Sequence, residues 1–227
     1  MKKSKKKKNK KICWLLKVFD FKMIFYDFVK WTGALSVIIY LRLKVIYASK
    51  EAKKIRRKEA IICANHNSFM DPLILNNLTL FRRTLSVTSD ALFKNNKFKT
   101  LLFKWFRCIP VDKENVSVST FKKVAREIRY GHNVAVFPEG TVIRQDDVSK
   151  FKSGVIMMAL FADAHVIPVY IKRRTSIWRR QVVVVGERID VKKYLSSSVP
   201  TMQEIDHASE ELRKEELKLK EIADAIK

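Results

Sequence analysis

From about residue 58, short apolar runs alternate with stretches whose apolar residues recur at every third or fourth position. A short, bounded apolar run is typical of a buried strand, whereas the second spacing is typical of an amphipathic helix. The predicted strands are 60–64, 85–88, 134–137, 166–170 and 181–185. One predicted helix starts near residue 68, and three others cover 99–106, 119–130 and 154–162. This alternation predicts an α/β fold with a central, mostly parallel sheet flanked by helices.

The best-marked helix ends lie in the second half of the chain. Ser119 is the expected cap of helix 119–130, and Gly131 is its expected end. Thr201 and Glu204 have the spacing of a capping box, which predicts a C-terminal helix reaching about residue 225. Residues 201–227 carry eight acidic and five basic side chains, so we expect a solvated outer helix without a chemical role.

The first fifty residues differ in character from the rest of the chain. Residues 1–11 are nearly all lysine with Asn and Ser, which predicts a disordered polybasic tail. Residues 12–50 are rich in aromatic and aliphatic side chains and are predicted to form a membrane-anchoring helical segment. The predicted break between two helices in this segment lies at Thr32 and Gly33.

The polar residues of this segment decide how it meets a bilayer. Lys17, Asp20 and Asp27 share one side of a helical wheel, and aromatic residues dominate the rest. The longest uncharged run, 31–41, is shorter than the roughly 20 residues of a spanning helix. This favours helices that lie in or dip into one leaflet. A single transmembrane helix and a soluble core helix with a solvated basic tail are the alternatives.

The net charge of the chain limits the classes of partner that it is expected to bind. Its 47 Lys and Arg outnumber 23 Asp and Glu, giving a net charge of +24, which attracts nucleic acid or an anionic membrane surface. The aromatic residues of 12–50 cluster with aliphatic ones and do not follow a basic groove, so the membrane is the expected partner and nucleic acid is not. A basic nucleic-acid-binding protein is the remote alternative. Residues 51–200, with the helix 201–227, are long enough for one domain.

Few other residues are candidates for chemistry. The odd number of cysteines excludes a complete disulfide framework and indicates reduced thiols. No cluster has metal-ligand spacing, and neither a glycine-rich nucleotide loop nor a Gly-x-Ser-x-Gly motif occurs, so no metal and no cofactor are expected. Three of the four histidines have no matching partners and are expected to be structural or to lie at the surface: His132, His165 and His207.

The fourth histidine, His66, stands five residues before Asp71 and directly after the predicted strand 60–64. A neutral imidazole accepts a proton near pH 7, and a neighbouring carboxylate holds the ring in one tautomer and stabilises the imidazolium. The pair is therefore a candidate base for a hydroxyl group. The segment also fits a helix-start capping box, with Ser68 as the cap and Asp71 reaching back to its backbone, which would make Asp71 structural and His66 a loop residue.

Three further segments place unusual residues at predicted strand ends. An apolar strand runs into 137–141, Phe-Pro-Glu-Gly-Thr, where proline ends the ladder and glycine lets the backbone approach a ligand. Residues 108–113 form an apolar step that ends in Lys113, and proline interrupts the strand 166–170. The plain structural interpretations are a strand-end turn, a short strand with a solvated lysine, and an edge strand.

In this order and spacing, the four segments resemble the 1-acyl-glycerol-3-phosphate acyltransferase family, the PlsC-like branch of the glycerolipid acyltransferases. The family's His-x4-Asp motif is matched by His66 and Asp71, and its Phe-Pro-Glu-Gly-Thr-Arg motif by residues 137–141. Its motif of an apolar run ending in a basic residue resembles 109–113, and its proline-centred apolar motif resembles 166–169. The resemblance spans roughly residues 55–190.

The resemblance implies the roles of individual residues. His66 and Asp71 would be catalytic. The residues that would bind the substrate are Lys113, Glu139, Gly140, Thr141 and Arg144.

Two positions depart from the family pattern. Val142 stands where the family has arginine, and Arg144 lies two residues further on as its substitute. Lys113 stands where the second motif usually ends in arginine, and lysine offers a point charge without the bidentate fork. A carboxylate does not bind phosphate directly, so Glu139 is expected to orient a cation or the loop.

The resemblance implies a direct acyl transfer without an acyl-enzyme. His66 would take the proton from the free hydroxyl of lysophosphatidate, whose oxygen would attack the thioester carbonyl of acyl-CoA or acyl carrier protein. Backbone N–H groups near Ser68 would stabilise the carbonyl oxygen. Phosphatidic acid would form at the cytoplasmic face of the cell membrane, with the protein peripheral or monotopic. Glycerol-3-phosphate, another lysophospholipid and a lipid amine remain open as acceptors.

Overall fold

The computed structural model describes residues 23–226, apart from gaps at 57, 80–81, 95–96, 113–115, 141–150, 177 and 198–199. The predicted polybasic tail 1–11 and the first part of the predicted anchoring segment lie outside the described residues. The strands are β1 Lys44–Tyr47, β2 Ile61–Ala64, β3 Thr84–Ser89, β4 Ile109–Val111, β5 Asn133–Val136, β6 Val166–Ile171 and β7 Val182–Val185. The α-helices are α1 Ile24–Leu41, α2 Asp71–Leu78, α3 Ala91–Lys94, α4 Lys97–Trp105, α5 Val118–Arg129, α6 Gly154–Ala162 and α7 Met202–Asp224, and 3₁₀ turns cover Ala52–Arg56 and Val191–Tyr194.

In the described part of the chain, the strands form one sheet in the order β1-β7-β6-β2-β5-β3-β4. The strands from β6 to β4 in this order run parallel, β7 is antiparallel to β6, and β1 runs parallel to β7. The predicted mostly parallel sheet with flanking helices is therefore confirmed. The carboxyl ends of β6, β2 and β5 lie side by side, at the end of the sheet where open α/β folds bind ligands.

The sheet is covered on both faces, which explains the unbroken apolar runs of its central strands. Ile61 and Cys63 of β2 point into the core formed with α5, α6 and α7. Ile62 and Ala64 point into the second core, to which α1 and α2 contribute. Strands buried on both faces need apolar residues at every position, so these read as continuous runs and not as alternating ones.

Helix α1 is one continuous helix, so the predicted break at Thr32 and Gly33 is wrong. A Cβ added at Gly33 would meet no atom within 4 Å, so glycine is not required there by close packing. The Thr32 hydroxyl donates to the Phe28 carbonyl within the helix. Glycine weakens a helix interior by only about 1 kcal/mol, which packing of the neighbouring turns can offset. The helix instead ends at Arg42, whose left-handed φ of 48° closes it.

The polar side chains of α1 point toward the domain. Tyr26 donates from its hydroxyl to the Thr84 carbonyl (2.8 Å), and buried Lys30 donates to the Thr79 carbonyl (2.9 Å). The Asp27 carboxylate pairs with the guanidinium of Arg83. The outward face is apolar and exposed along the helix, at Ile24, Phe28, Trp31, Leu35, Ile38 and Ile39. A helix on the surface of a soluble protein turns its apolar face inward and its polar face outward, and α1 does the opposite.

Some predicted element bounds differ from the structure. Residues 44–47, predicted to belong to the anchoring segment, form edge strand β1, because their backbone pairs with β7. Helix α5 begins after Ser117 and not after Ser119, and α2 begins at Asp71 and not near residue 68. The four- and five-residue helices carry no periodicity that would predict them.

The proline-interrupted segment 166–170 lies in a central strand, so its interpretation as an edge strand is wrong. Strand β6 pairs with β2 on one side and β7 on the other. The carbonyl of Pro168 accepts from the Gly186 N–H (2.9 Å), just beyond the last residue of β7. Proline has no N–H to donate, but Pro168 lies where the pairing of β6 with β7 ends. Its presence therefore removes no hydrogen bond from within the β6–β7 ladder.

The predicted capping box of α7 is confirmed. The Glu204 N–H donates to Thr201 Oγ1 (3.3 Å), and the Thr201 N–H donates to a carboxylate oxygen of Glu204 (2.8 Å). The expectation of a solvated outer helix is wrong, because one face of α7 packs on β6 and β7. The buried residues of this face are Ile205, Ala208, Ser209, Leu212, Glu216, Leu219 and Ala223.

Close packing of α7 on the sheet makes Gly186→Ala a sensitive test. An added Cβ would lie 2.8 Å from Cγ of Pro168 and 3.1 Å from Cδ1 of Leu219. We expect a loss of about 1–3 kcal/mol in the free energy of unfolding, measured by urea denaturation followed by circular dichroism. Gly33→Ala is the control, because its Cβ would meet open space in a helix interior. This change is expected to raise the free energy of unfolding by up to about 1 kcal/mol. Equal stability of the two variants would contradict this packing.

Candidate active site

The candidate site is built on the turn that joins β2 to α2. Asn65 extends β2 by one residue, since its side-chain amide donates to the Ile171 carbonyl (3.0 Å) and accepts from the Ile171 N–H (2.7 Å). The Asn67 side chain also donates to the Ile171 carbonyl (2.7 Å). These bonds tie the start of the turn to the end of β6.

His66 and Asp71 are in direct contact. Nδ1 of His66 lies 2.9 Å from Oδ2 of Asp71, and their side chains are 16% and 1% exposed. A carboxylate acceptor places the proton of the neutral ring on Nδ1, which leaves Nε2 with a free lone pair. The arrangement is therefore that of an oriented base, as the sequence predicted from the spacing.

The same Asp71 oxygen also builds the turn. It accepts from the backbone N–H groups of Asn67 and Ser68, both at 2.7 Å. One half of the alternative capping box therefore exists, because Asp71 does reach back to the Ser68 backbone. The other half does not, since the Ser68 hydroxyl accepts from the Met70 N–H and α2 has no side-chain cap. The catalytic and structural interpretations of Asp71 are compatible.

The end of β5 supports His66 from the other side. The imidazole stacks on the ring of Phe137 with 4.2 Å between centroids and 20° between planes. The carboxylate of Glu139, 8% exposed, accepts from the backbone N–H of His66 (3.1 Å). Gly140 has a φ of 71°, which a glycine adopts without strain, and its N–H donates back to the Phe137 carbonyl. Glu139 thus holds the backbone of the histidine turn, through a contact that the sequence did not predict.

The structure brings together four of the residues predicted for the site. His66, Asp71 and Glu139 are linked by hydrogen bonds, and Gly140 makes the turn after Glu139. The remaining predicted residues, Lys113, Thr141 and Arg144, lie outside the described residues, as does Val142.

The donors expected for a carbonyl oxygen are engaged elsewhere. The N–H groups of Asn67 and Ser68 point at Asp71, and that of Met70 points at the Ser68 hydroxyl. An N–H that already serves a buried carboxylate is poorly placed to stabilise a second oxyanion. The expectation that backbone groups near Ser68 form an oxyanion hole is therefore not supported at these three positions.

A cleft of about 520 Å³ opens beside the turn. The His-x4-Asp turn contributes Asn67, Ser68 and Asp71 to its wall, and the C-terminal end of α1 contributes Tyr40 and Leu41. The loop after β6 supplies cationic side chains, among them Arg173 and Arg174. The mixture of apolar and cationic walls suits an anionic amphiphile. In the described part of the chain, no group of three or more His, Cys, Asp or Glu is arranged to hold a metal ion.

Sequence reasoning missed the residues that position the turn. The side chains of Asn65 and Asn67 bind Ile171, more than one hundred residues away in the chain, and Phe137 acts through ring stacking. The two asparagines flank His66, and asparagine between an apolar strand and a helix is the one local signal available. The partners themselves are set by strand order, which the local sequence does not contain.

The model of the family described as Acyltransferase matches residues 46–172, from β1 to the end of β6. The chain belongs to the acyltransferase family. A probable 1-acyl-sn-glycerol-3-phosphate acyltransferase of Mycoplasma genitalium is 31% identical over 143 residues, covering 60% of this chain and 52% of that protein. A protein with the same description from Mycoplasma pneumoniae is 29% identical over 143 residues, with the same coverage, so this acyltransferase chain spans about half of these relatives.

The fold has a solved counterpart. The crystal structure of the 1-acyl-sn-glycerophosphate (LPA) acyltransferase PlsC from Thermotoga maritima matches with a TM-score of 0.59 and 20% identity. The match covers 84% of this acyltransferase chain and 76% of that one. It establishes a shared fold.

Asp71→Asn tests how far this carboxylate organises the turn. Replacing a charged acceptor of three hydrogen bonds by a neutral one is expected to lower the free energy of unfolding by about 1–3 kcal/mol. The measurement is urea denaturation of the full chain. Ser68→Ala is the control, since it removes one exposed hydroxyl and is expected to change stability by about 0.5 kcal/mol or less. If Asp71→Asn is as stable as this control, the turn does not depend on the carboxylate.

Proposed function

We propose that this protein transfers a fatty acyl group from a thioester to the free hydroxyl of 1-acyl-glycerol-3-phosphate, forming phosphatidic acid. The observation that carries the proposal is the contact between His66 Nδ1 and the buried Asp71 carboxylate at the carboxyl end of the sheet. Both residues lie in the region 46–172 that matches the acyltransferase family. The names of the two mycoplasma relatives support the same acceptor. Related acceptors, such as glycerol-3-phosphate or another lysophospholipid, are separated from it by the acceptor panel below.

In the proposed mechanism, Nε2 of His66 takes the proton of the acceptor hydroxyl as its oxygen attacks the thioester carbonyl. The Asp71 carboxylate holds the ring through Nδ1 and stabilises the imidazolium that forms. The tetrahedral intermediate then expels the thiolate, which receives the proton from Nε2. The products are the ester and the free thiol of coenzyme A or acyl carrier protein, and no further cofactor takes part.

The proposed phosphate-binding residues, Lys113, Thr141 and Arg144, each follow the end of a strand in the sequence. Lys113 follows β4, and Thr141 and Arg144 follow the Glu139–Gly140 turn at the end of β5. Strands β5, β3 and β4 are adjacent and parallel, so β5 and β4 end at the same end of the sheet. A lysine and an arginine there would provide the positive charge that a phosphate monoester requires.

The proposed location is the cytoplasmic face of the cell membrane, with α1 lying along the bilayer. This helix has the length and apolar composition to cross a membrane. One of its faces is nevertheless fastened to the domain by Tyr26, Asp27 and Lys30, which supports a helix that lies in one leaflet. Its exposed aromatic and aliphatic stripe would enter the acyl region. Because the acyl thioester arrives from the cytoplasm, the proposed active site faces the cytoplasmic side of the membrane.

The loop after β6 supports the same orientation. Arg42 donates to the carbonyl of Trp178 (2.9 Å), and the guanidinium of Arg174 lies 5.5 Å from the Tyr40 ring centre, so this loop is fastened to the end of α1. Trp178 is 80% exposed. Tryptophan and arginine are the residues that membrane interfaces favour, and each cation near an anionic surface adds about 1 kcal/mol. The cations of the loop are Lys172, Arg173, Arg174, Arg179 and Arg180.

The experiment that tests the reaction is a panel of acceptors and acyl thioesters with the purified full-length protein, read as release of free thiol. We expect release with lysophosphatidate, and we expect His66→Ala to lower kcat by about 10³-fold or more, because the base is lost. His165→Ala is the matched control, since this histidine is exposed and is expected to leave kcat unchanged. Absence of release with every donor, or full activity of His66→Ala, would refute the reaction or the base.

The membrane-facing stripe is tested by Phe28→Ser combined with Leu35→Ser, and binding to anionic vesicles is measured by co-sedimentation. Two fewer apolar side chains in the bilayer are expected to weaken partitioning by about tenfold or more. The control combines Val118→Ser with Tyr130→Ser, which removes two exposed apolar residues at α5 on the opposite face of the sheet. Point changes are preferable to deletion because residues 44–47 belong to the sheet.

Equal losses in the two double variants would contradict a bilayer contact through α1. Neutral vesicles form the second arm, and weaker binding to them than to anionic vesicles is expected from the cations of the loop. Salt-sensitive binding to RNA or DNA that is stronger than binding to anionic vesicles would instead favour the nucleic-acid alternative.

A further inference from the structure

Glu216 is a buried titratable group that the proposed reaction does not use. It lies on the inner face of α7 with 0% of its surface exposed, and neither carboxyl oxygen has a hydrogen-bond partner among the described residues. An ionised carboxylate without a partner is strongly disfavoured in a dry interior. The burial itself therefore predicts that Glu216 is a neutral carboxylic acid in the folded protein.

Glu216 is within electrostatic range of the candidate site. The charge of Glu139 and the backbone N–H of Asn65 both act on its carboxyl group, and both carboxyl groups act on the buried thiol of Cys63. Burial raises the pKa of Glu216 well above its usual value, and the negative charge of Glu139 raises it further. The Asn65 N–H and the Arg213 guanidinium, one turn earlier in α7, lower this pKa without reversing the shift.

The two carboxyl groups differ in their partners, which decides the charge on each. Glu139 accepts a hydrogen bond from the His66 N–H at 3.1 Å, and this favours its ionised form. Two neighbouring carboxyl groups in a dry site do not both ionise, so Glu216, the more deeply buried of the two, remains protonated. A protonated Glu216 offers its O–H as a donor, where an ionised one would repel Glu139.

We propose that Glu216 is a positioning residue of the active site: its neutral carboxyl group supports the Glu139 carboxylate, which in turn holds the backbone of His66. This inference rests on the acyl transfer proposed above. Close packing fixes the height of the helix, because a Cβ at Gly186 would lie 3.1 Å from Leu219, three residues after Glu216. The C-terminal helix would thus reach the base through a relay of two carboxyl groups.

The protonation state is tested through stability, which needs no activity. Glu216→Gln keeps the shape and removes the titration. Below the ordinary carboxyl pKa the parent and this variant differ least. As pH rises, the unfolded parent ionises while its folded Glu216 stays neutral, so the parent loses stability relative to the variant until the folded group also ionises. We expect the ratio of their unfolding equilibrium constants to change by up to about tenfold per pH unit above pH 5.

Glu215→Gln is the matched control for stability, because it makes the same change at the neighbouring position, where the side chain is half-exposed and pairs with Lys218. A stability ratio for Glu216→Gln that stays flat with pH would mean that Glu216 ionises alike in the folded and the unfolded protein, and would overturn the protonation claim. An infrared band of a protonated carboxyl group that is present in the parent and absent from Glu216→Gln is the independent expected result.

The positioning role is tested by comparing Glu216→Gln with Glu216→Met in the thiol-release assay. Methionine fills similar space without a donor, so misplacement of Glu139 and His66 is expected to lower kcat about tenfold with KM changed less than about twofold. Glutamine offers an N–H donor and is expected to retain kcat at neutral pH. Folded Gln and Met variants with equal kcat would overturn the role. A parent without activity would instead refute the proposed reaction, and the stability result would stand alone.

Discussion

One carboxylate oxygen organises the catalytic end of this sheet. Oδ2 of Asp71 accepts hydrogen bonds from the His66 ring and from the N–H groups of Asn67 and Ser68. A turn that leaves a parallel strand has backbone donors with no ladder partner, and burying them unsatisfied costs free energy. The residue that satisfies these donors is the same one that orients the imidazole. The turn and the base therefore depend on a single interaction, and neither can be altered without the other.

The rest of the fold fixes this turn in space. Asn65 and Asn67 bind it to the end of β6, and Glu139 and Phe137 hold it from the end of β5. Both neighbours are parallel to β2, so their ends converge at one place. The observed support of the base thus comes from the ends of two strands, β5 and β6, that are distant from it in sequence.

The N-terminal helix shows the same division between local and long-range information. Its aromatic and aliphatic composition indicates an apolar helix, but composition does not show what Asp27 and Lys30 contact. The structure explains the pattern: both side chains face the domain, where Lys30 meets the carbonyl of Thr79 and Asp27 meets Arg83. An apolar stripe is consequently left outward, next to a cleft with cationic walls.

The sequence by itself determined the α/β class, the approximate strands, the capping box of α7 and the pairing of His66 with Asp71. These features depend on periodicity and on contacts within five residues, which a local pattern records. The tertiary structure alone decided that Pro168 lies in a central strand, that residues 44–47 complete the sheet, and that Glu139 contacts His66. Each of these depends on which strands become neighbours, and that choice arises from burying both faces of the sheet at once, a property of the whole chain.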